Sequence, residues 1–319
     1  MNVAVIGLGQ IGMGYDLALP PSYILSHARA YAVHDAFCLV AGIDLSEERR
    51  RKFEETYLTP AYADFAEVPI EVDLVVLATP TDTHLDGIRN ILGHHAPRVI
   101  LCEKPLANTP AEAKEMVALC AARGIHLFVN YMRRCEPGAR EIRRRILERA
   151  IIPPVKGVVW YSKGLMHNGS HFIDLLQHWL GPITETPHIF GARSYGIDDV
   201  EADIRLTFQN GEVLFLSCDE KKFSHHTVEL ISPSGRLRYE DGGAEIVWQP
   251  AQQSPVLGAY RELGPKTMIT SDLQRALFHV AEEIHQVVTK HNQNTVLCDG
   301  SAGLHTVATI AEIMHRANH

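Results

Sequence analysis

The stretch AVIGLGQIGMG (4–14) carries Gly7, Gly9 and Gly12 in G-x-G-x-x-G spacing, directly after a short apolar run. Alone the motif is weak, because glycines gather in turns for many reasons. Its context is more demanding: a strand must feed the loop and a helix must leave it. Gly7 then permits the tight turn, Gly9 lets the backbone approach a diphosphate, and Gly12 allows close packing of helix on strand, with Gln10 and Ile11 between them. The N–H groups that open the helix face the negative charge.

The next hundred residues supply that context. Apolar runs at 2–9, 37–44, 73–79, 98–103 and 125–130 each read as a strand buried on both faces, with helical patterns between them. One helix is well punctuated: Thr109 can cap it, Pro110 suits its first position, and Gly124 follows its last turn. Strands alternating with helices predict a parallel, doubly wound sheet. Beyond about residue 150 the pattern changes. Residues 202–218 alternate apolar and polar positions around Asn210-Gly211, a two-residue hairpin signal, and further alternating runs follow at 227–232, 235–240 and 244–249. These predict an antiparallel sheet with one covered face, ahead of two final helices at 271–290 and 301–317. The expected fold class is α/β: a Rossmann doubly wound sheet in residues 1–130, then an α+β domain in 131–319 whose C-terminal helix can pack back on the first. The bend near Pro137 or Pro153-Pro154 marks the boundary.

Composition narrows the function. With 46% hydrophobic and 21% charged residues, the 319-residue chain can bury a sizeable core, and its formal net charge of −8 disfavours nucleic acid and anionic membranes as partners. No apolar run approaches the roughly 20 residues that span a bilayer. Six scattered cysteines without a C-x-x-C pair suit reduced thiols in a cytoplasmic protein. At the end of the second strand, Asp44 can accept hydrogen bonds from an adenosine ribose. It lies 37 positions after Gly7, beyond the usual spacing of about 20, and the inserted YDLALPPSYILSH (15–27) accounts for much of the excess. An acid there favours NAD, while Arg49, Arg50 and Arg51 nearby leave NADP possible.

At LCEKPLANT (101–109) the chain resembles the glucose–fructose oxidoreductase / inositol dehydrogenase / MocA family. The likeness extends over nearly the whole chain: the glycine loop, LATPTDTHLDGI (77–88), Glu103-Lys104-Pro105, VNYMRR (129–134) and Gly169-x-His171-x-x-Asp174. The resemblance implies a Rossmann domain followed by a substrate-binding and oligomerisation domain with an open, mainly antiparallel sheet, assembled as a homodimer or homotetramer. It implies hydride transfer between a nicotinamide and a hydroxyl or keto carbon of a sugar, cyclitol or nucleotide-linked sugar. By the same likeness Thr79, Pro80 and His84 line the cofactor, Glu103 and Lys104 sit by the nicotinamide ribose and substrate, and Asn130 closes the nicotinamide end.

Oxidising an alcohol needs a hydride acceptor and a base for the hydroxyl proton. An imidazole titrates near neutrality, so His171 is the expected base, and Lys104 the expected donor to the reacting oxygen. Which of the two carries the proton is open. Many family members read Asp-x-Gly-x-His, but here His167 stands four before His171, exchanging a carboxylate for a second imidazole. A metal site on this pair is disfavoured, because Gly169 interrupts the helix and no Glu follows His167 as in H-E-x-x-H. Lys163 and Tyr15 are further candidates for substrate contact. The rival readings are glycoside cleavage through transient oxidation with recycled NAD, and a dinucleotide-binding regulator without turnover.

Overall fold

The computed structural model describes residues 1–218, 222–290 and 295–317, which fall into two compact units: 1–135 with 274–308, and 136–273 with 309–317.

In the first unit, β1 (Asn2–Ile6), β2 (Cys38–Ile43), β3 (Ala61–Tyr62), β4 (Leu74–Leu77), β5 (Val99–Cys102) and β6 (His126–Val129) pair in parallel in the order 3-2-1-4-5-6. This doubly wound order leaves a crevice where the winding reverses, between β1 and β4. A short antiparallel strand, Cys298–Asp299, closes the β6 edge. Buried runs such as LVVL in β4 and VILC in β5 have no polar face because helices cover both sides of the sheet. The helices are α1 (His27–Val33), α2 (Glu47–Tyr57), α3 (His84–His94) and α4 (Pro110–Ala121), with Ala276–Lys290 packing Leu277, Val280, Ala281 and Ile284 into the same core as α1. Helix α4 begins as its sequence predicts: Thr109 and Glu112 form a reciprocal capping box with Pro110 in the first turn.

The glycine loop does not lead straight into α1. The N–H groups of Met13 and Gly14 donate to the Gly9 carbonyl and that of Tyr15 to Gln10, yet the next two acceptors, Ile11 and Gly12, are met by His27 and Ala28. Residues 15–26 are thus a twelve-residue excursion spliced into the first turn of the phosphate helix. Removing it shortens the Gly7-to-Asp44 spacing to 25, close to the usual value.

The second unit contains α5 (Pro137–Leu147), β7 (Val155–Tyr161), α6 (Ser170–Leu180), β8 (His188–Tyr195), β9 (Asp199–Phe208), β10 (Gly211–Ser217), β11 (Thr227–Ser232), β12 (Gly235–Glu240), β13 (Glu245–Gln253), β14 (Arg261–Leu263) and β15 (Thr267–Ile269). Its nine strands are ordered 14-13-12-11-7-10-9-8 with β15 on β13, antiparallel except for the β7–β10 pair. Alternation in β9 buries Val200, Ala202, Ile204, Leu206 and Phe208 in one core with Phe172, Leu176 and Trp179 of α6. The hairpin turn differs from its expectation. Gly211 pairs with Phe208, so Gln209 and Asn210 make the bend, and neither has a positive φ. Gly211 lies in the strand because its Cβ would stand 2.5 Å from the Val155 carbonyl oxygen of β7. Close strand approach, not turn chemistry, selects this glycine.

Candidate functional site

The register of the parallel sheet gathers the predicted residues. Ile6 is level with Ile43 and Leu77, Leu77 with Cys102, and Cys102 with Val129. The residues that follow, Gly7, Asp44, Ala78, Glu103 and Asn130, therefore form one row along the carboxyl edge. The ladder runs on into it: Gly7 donates to Ile43, Ala78 to Ile6, Glu103 to Leu77 and Asn130 to Cys102. Thr79 and Lys104 stand one residue further out. Ligands of doubly wound sheets bind at this edge.

Gly7 has φ +93° and its Cβ would lie 2.5 Å from the Ala78 oxygen, while a Cβ on Gly12 would lie 1.9 Å from the Gly7 oxygen. Gly9 would meet nothing within 4 Å. Two glycines thus build the turn, and the third faces a cavity of about 1020 Å³ that Asp44, Arg49, Thr79, Pro80 and Thr83 also line. Gln10 is exposed, and Ile11 packs into the core below the loop. Asp44 works on both sides of the turn. Its Oδ2 accepts the Leu8 N–H at 2.8 Å, its Oδ1 accepts the Ser46 N–H at 2.8 Å, and the half-exposed Arg49 guanidinium lies 3.4 Å from Oδ2.

At the other end of the row, Glu103 is buried. Its Oε1 lies 2.7 Å from His27 Nε2 and accepts from Asn130 Nδ2 at 2.6 Å, and its Oε2 accepts the Lys104 N–H at 3.2 Å. Burial alone would push this carboxyl up, but the His27 hydrogen bond and charge, the Asn130 hydrogen bond and the Lys104 charge together hold it below its usual range. The Lys104-Pro105 peptide is cis. A dinucleotide fits this edge: Gly9 leaves a backbone cradle open, Asp44 stands at one end, and at the other the buried Asn130 Oδ1 lacks a hydrogen-bond partner among the described residues.

His84 does not line the cavity. It is wholly buried between two carbonyls, Nδ1 3.0 Å from Leu106 O and Nε2 3.0 Å from Thr79 O, so it ties the turn carrying Thr79 to the chain beyond Lys104. Tyr15, on the excursion, is 55% exposed. Arg49 belongs to the cavity more clearly than its place in an arginine run suggested. His27 was not foreseen, since 76 residues separate it from Glu103 and nothing local marks it.

In the second unit, a wide π-type turn (Leu165–Gly169) runs without a break into α6. Gly169, expected to interrupt the helix, has helical φ and ψ of −58° and −34°, because its Cβ position is crowded by Leu165 and Tyr161 rather than its backbone being bent. His167 and His171 therefore share one helical segment, His167 exposed and His171 half-buried. Asp199 of β9 anchors the segment, accepting the N–H groups of Met166 at 2.9 Å and His167 at 3.1 Å, and burial raises its carboxyl despite them. Lys163 sits just before in a left-handed conformation, φ +63°, its N–H on Glu201 Oε1 at 2.8 Å. Among the described residues no three His, Cys, Asp or Glu side chains converge as a metal set, and no helix is long and apolar enough to cross a membrane.

Replacing Asp44 with alanine leaves two loop N–H groups without their acceptor. NADH affinity is expected to fall about tenfold, NADPH affinity less, as read by fluorescence titration of both.

Residues 1–131 match the family model described as an oxidoreductase family with an NAD-binding Rossmann fold. D-apiose dehydrogenase of Paraburkholderia graminis is 26% identical over 241 residues, 67% of this chain and 64% of that protein. Inositol 2-dehydrogenase 2 of Saccharopolyspora erythraea is 30% identical over 203 residues, 59% of this chain and 57% of that one. The matched stretches thus span less than two thirds of either relative. The WlbA dehydrogenase of Bordetella pertussis, solved with NADH and UDP-GlcNAcA, shares the fold with a TM-score of 0.75 at 17% identity, covering 100% of this chain and 95% of that one.

Proposed function

We propose, from the premise that residues 1–131 belong to the oxidoreductase family of glucose–fructose oxidoreductase, inositol dehydrogenase and MocA, that this chain is an NAD-dependent dehydrogenase or reductase. It acts on a hydroxyl or keto carbon of a sugar, cyclitol or nucleotide-linked sugar. The observation that supports the reading is the row at the carboxyl edge, where an open glycine cradle, the Asp44 carboxylate and the Glu103-Lys104 pair follow β1, β2 and β5 of one aligned sheet. The unit of residues 1–135 and 274–308 serves the dinucleotide and that of 136–273 with 309–317 the substrate and assembly, and NADP is the second cofactor that Arg49 permits.

When bound, the nicotinamide supplies the hydride acceptor or donor. The chain supplies the rest. The Gly9 region receives the diphosphate, Asp44 the adenosine ribose, Thr79 and Pro80 the middle of the dinucleotide, and Glu103 and Asn130 the nicotinamide end. Lys104 Nζ donates to the substrate oxygen and stabilises negative charge as the hydroxyl loses its proton. A ring nitrogen of His171 takes that proton in oxidation and returns it in reduction. His167 and Lys163 hold further substrate oxygens, and Tyr15 touches the substrate from the excursion.

The partner in assembly is a second copy of the chain. Val158, Phe190, Leu214 and Ile231 line one groove on the outer face of the second sheet, and Phe190 and Ile231 are exposed there. The expected result is a dimer or tetramer by sedimentation.

The function is tested by incubating the full chain with NAD and a panel of cyclitols, aldoses and nucleotide sugars, following reduced nicotinamide by absorbance. Reduction with at least one of them is expected. A chain that binds NADH but reduces NAD with none would overturn the assignment.

A further inference from the structure

The excursion at 15–26 ends on His27, and His27 ends on Glu103. We propose that His27 is a positioning residue: through Nε2 it fixes the Glu103 carboxylate in one rotamer beside Lys104, at the end of the row assigned to the nicotinamide. The proposal rests on that assignment and adds to it a residue outside every motif of the resemblance.

The geometry leaves Glu103 little freedom. His27 is 1% exposed, so its Nε2 proton must find an acceptor inside the protein, and Glu103 Oε1 stands 2.7 Å away. Asn130 Nδ2 reaches the same oxygen at 2.6 Å, and the Lys104 N–H holds the other at 3.2 Å. Three donors from α1, from the end of β6 and from the chain after β5 thus grip one carboxylate. The ionisable groups that face it are His27 on α1 and Lys104 next in the chain, with the Cys102 thiol pushed up by burial and by the Glu103 charge.

His27 is itself held. Asp16, wholly buried, accepts the Leu25 N–H at 2.7 Å and the Ser26 N–H at 2.8 Å on Oδ2, and the Ser26 hydroxyl at 2.6 Å on Oδ1. Arg29 Nη1 donates to the carbonyls of Leu19, Pro20 and Tyr23, at 3.3, 3.2 and 3.1 Å. The His27 N–H then re-enters the phosphate helix on Ile11 O at 3.0 Å. An insertion tied down by these hydrogen bonds therefore links the phosphate loop to the Glu–Lys pair.

The test reads Glu103 directly. Infrared difference spectra of the full chain against Glu103→Gln isolate its carboxylate band, which is followed from acid to neutral pH. In His27→Leu, where a charge-assisted hydrogen bond is lost and burial remains, Glu103 is expected to protonate roughly one to two pH units higher. His27→Gln, which keeps an N–H donor, is expected to restore most of the shift. The acid limb of kcat, on whichever panel substrate is turned over, should move with it. A measurement on the unaltered chain guards against misfolding: NMR is expected to show a slowly exchanging imidazole N–H from His27. Equal Glu103 titration in the wild-type chain and His27→Leu, no rescue by glutamine, or a rapidly exchanging His27 proton each overturns the proposal. Activity retained in Lys104→Ala would instead remove the functional assignment, while the difference in Glu103 titration between the wild-type chain and His27→Leu, both of which keep Lys104, would stand, so the two failures are distinguishable.

Discussion

Lys104→Ala is expected to lower turnover by about two to four orders of magnitude while NADH still binds. The ammonium is assigned to the substrate oxygen, where charge develops as hydride moves, and a methyl group offers that oxygen nothing. The glycine cradle and Asp44, to which the diphosphate and the adenosine ribose are assigned, follow other strands and are untouched. His171→Ala should show the same split, by loss of the proton acceptor, and the double variant should fall little below the worse single one if both groups serve one oxygen. Turnover on the panel substrate and NADH fluorescence titration are the two readouts. Near-normal turnover in both single variants would end the assignment of either residue to the chemistry.

Gly12→Val is expected to cost about 3 kcal/mol of stability and to abolish NADH binding. A Cβ at this position would sit 1.9 Å from the Gly7 carbonyl oxygen, which is backbone and has nowhere to retreat, since the Gly7 N–H is bonded to Ile43. Gly9→Val makes the contrast. Nothing lies within 4 Å of that Cβ position, so the variant should unfold at the wild-type denaturant midpoint and still lose its dinucleotide affinity. Denaturant unfolding beside NADH titration separates the structural glycine from the binding one.

The first sheet was legible because parallel strands buried on both faces are continuous apolar runs, and each predicted run contains its observed strand. Motif and strand end mark Gly7 and Asp44 in the sequence, while Thr79, Glu103, Lys104 and Asn130 are marked there only by the family resemblance; the register of the sheet brings all six to one edge. The same logic failed where packing or hydrogen bonding with other parts of the fold, rather than local composition, decides a residue's role. Asn210-Gly211 has the composition of a tight turn, but Gly211 is glycine because β7 passes too close for a side chain. Gly169 has the composition of a helix break, but it is glycine because Leu165 and Tyr161 fill the space of its Cβ. His84 carries a family-like position and turns out to brace two carbonyls. His27 and the buried Asp16 carry no local signature, since their meaning lies in a splice that only hydrogen bonds from residues 27 and 28 back to residues 11 and 12 reveal.

A crystal structure of the full chain with NADH addresses the central claim in one measurement. The diphosphate should lie over Gly9 at the phosphate-helix start, the adenosine ribose at Asp44, and the nicotinamide ring nearer Lys104 Nζ than to Asp44. A diphosphate bound elsewhere, or a dinucleotide running in the opposite direction along the carboxyl edge, would contradict the account.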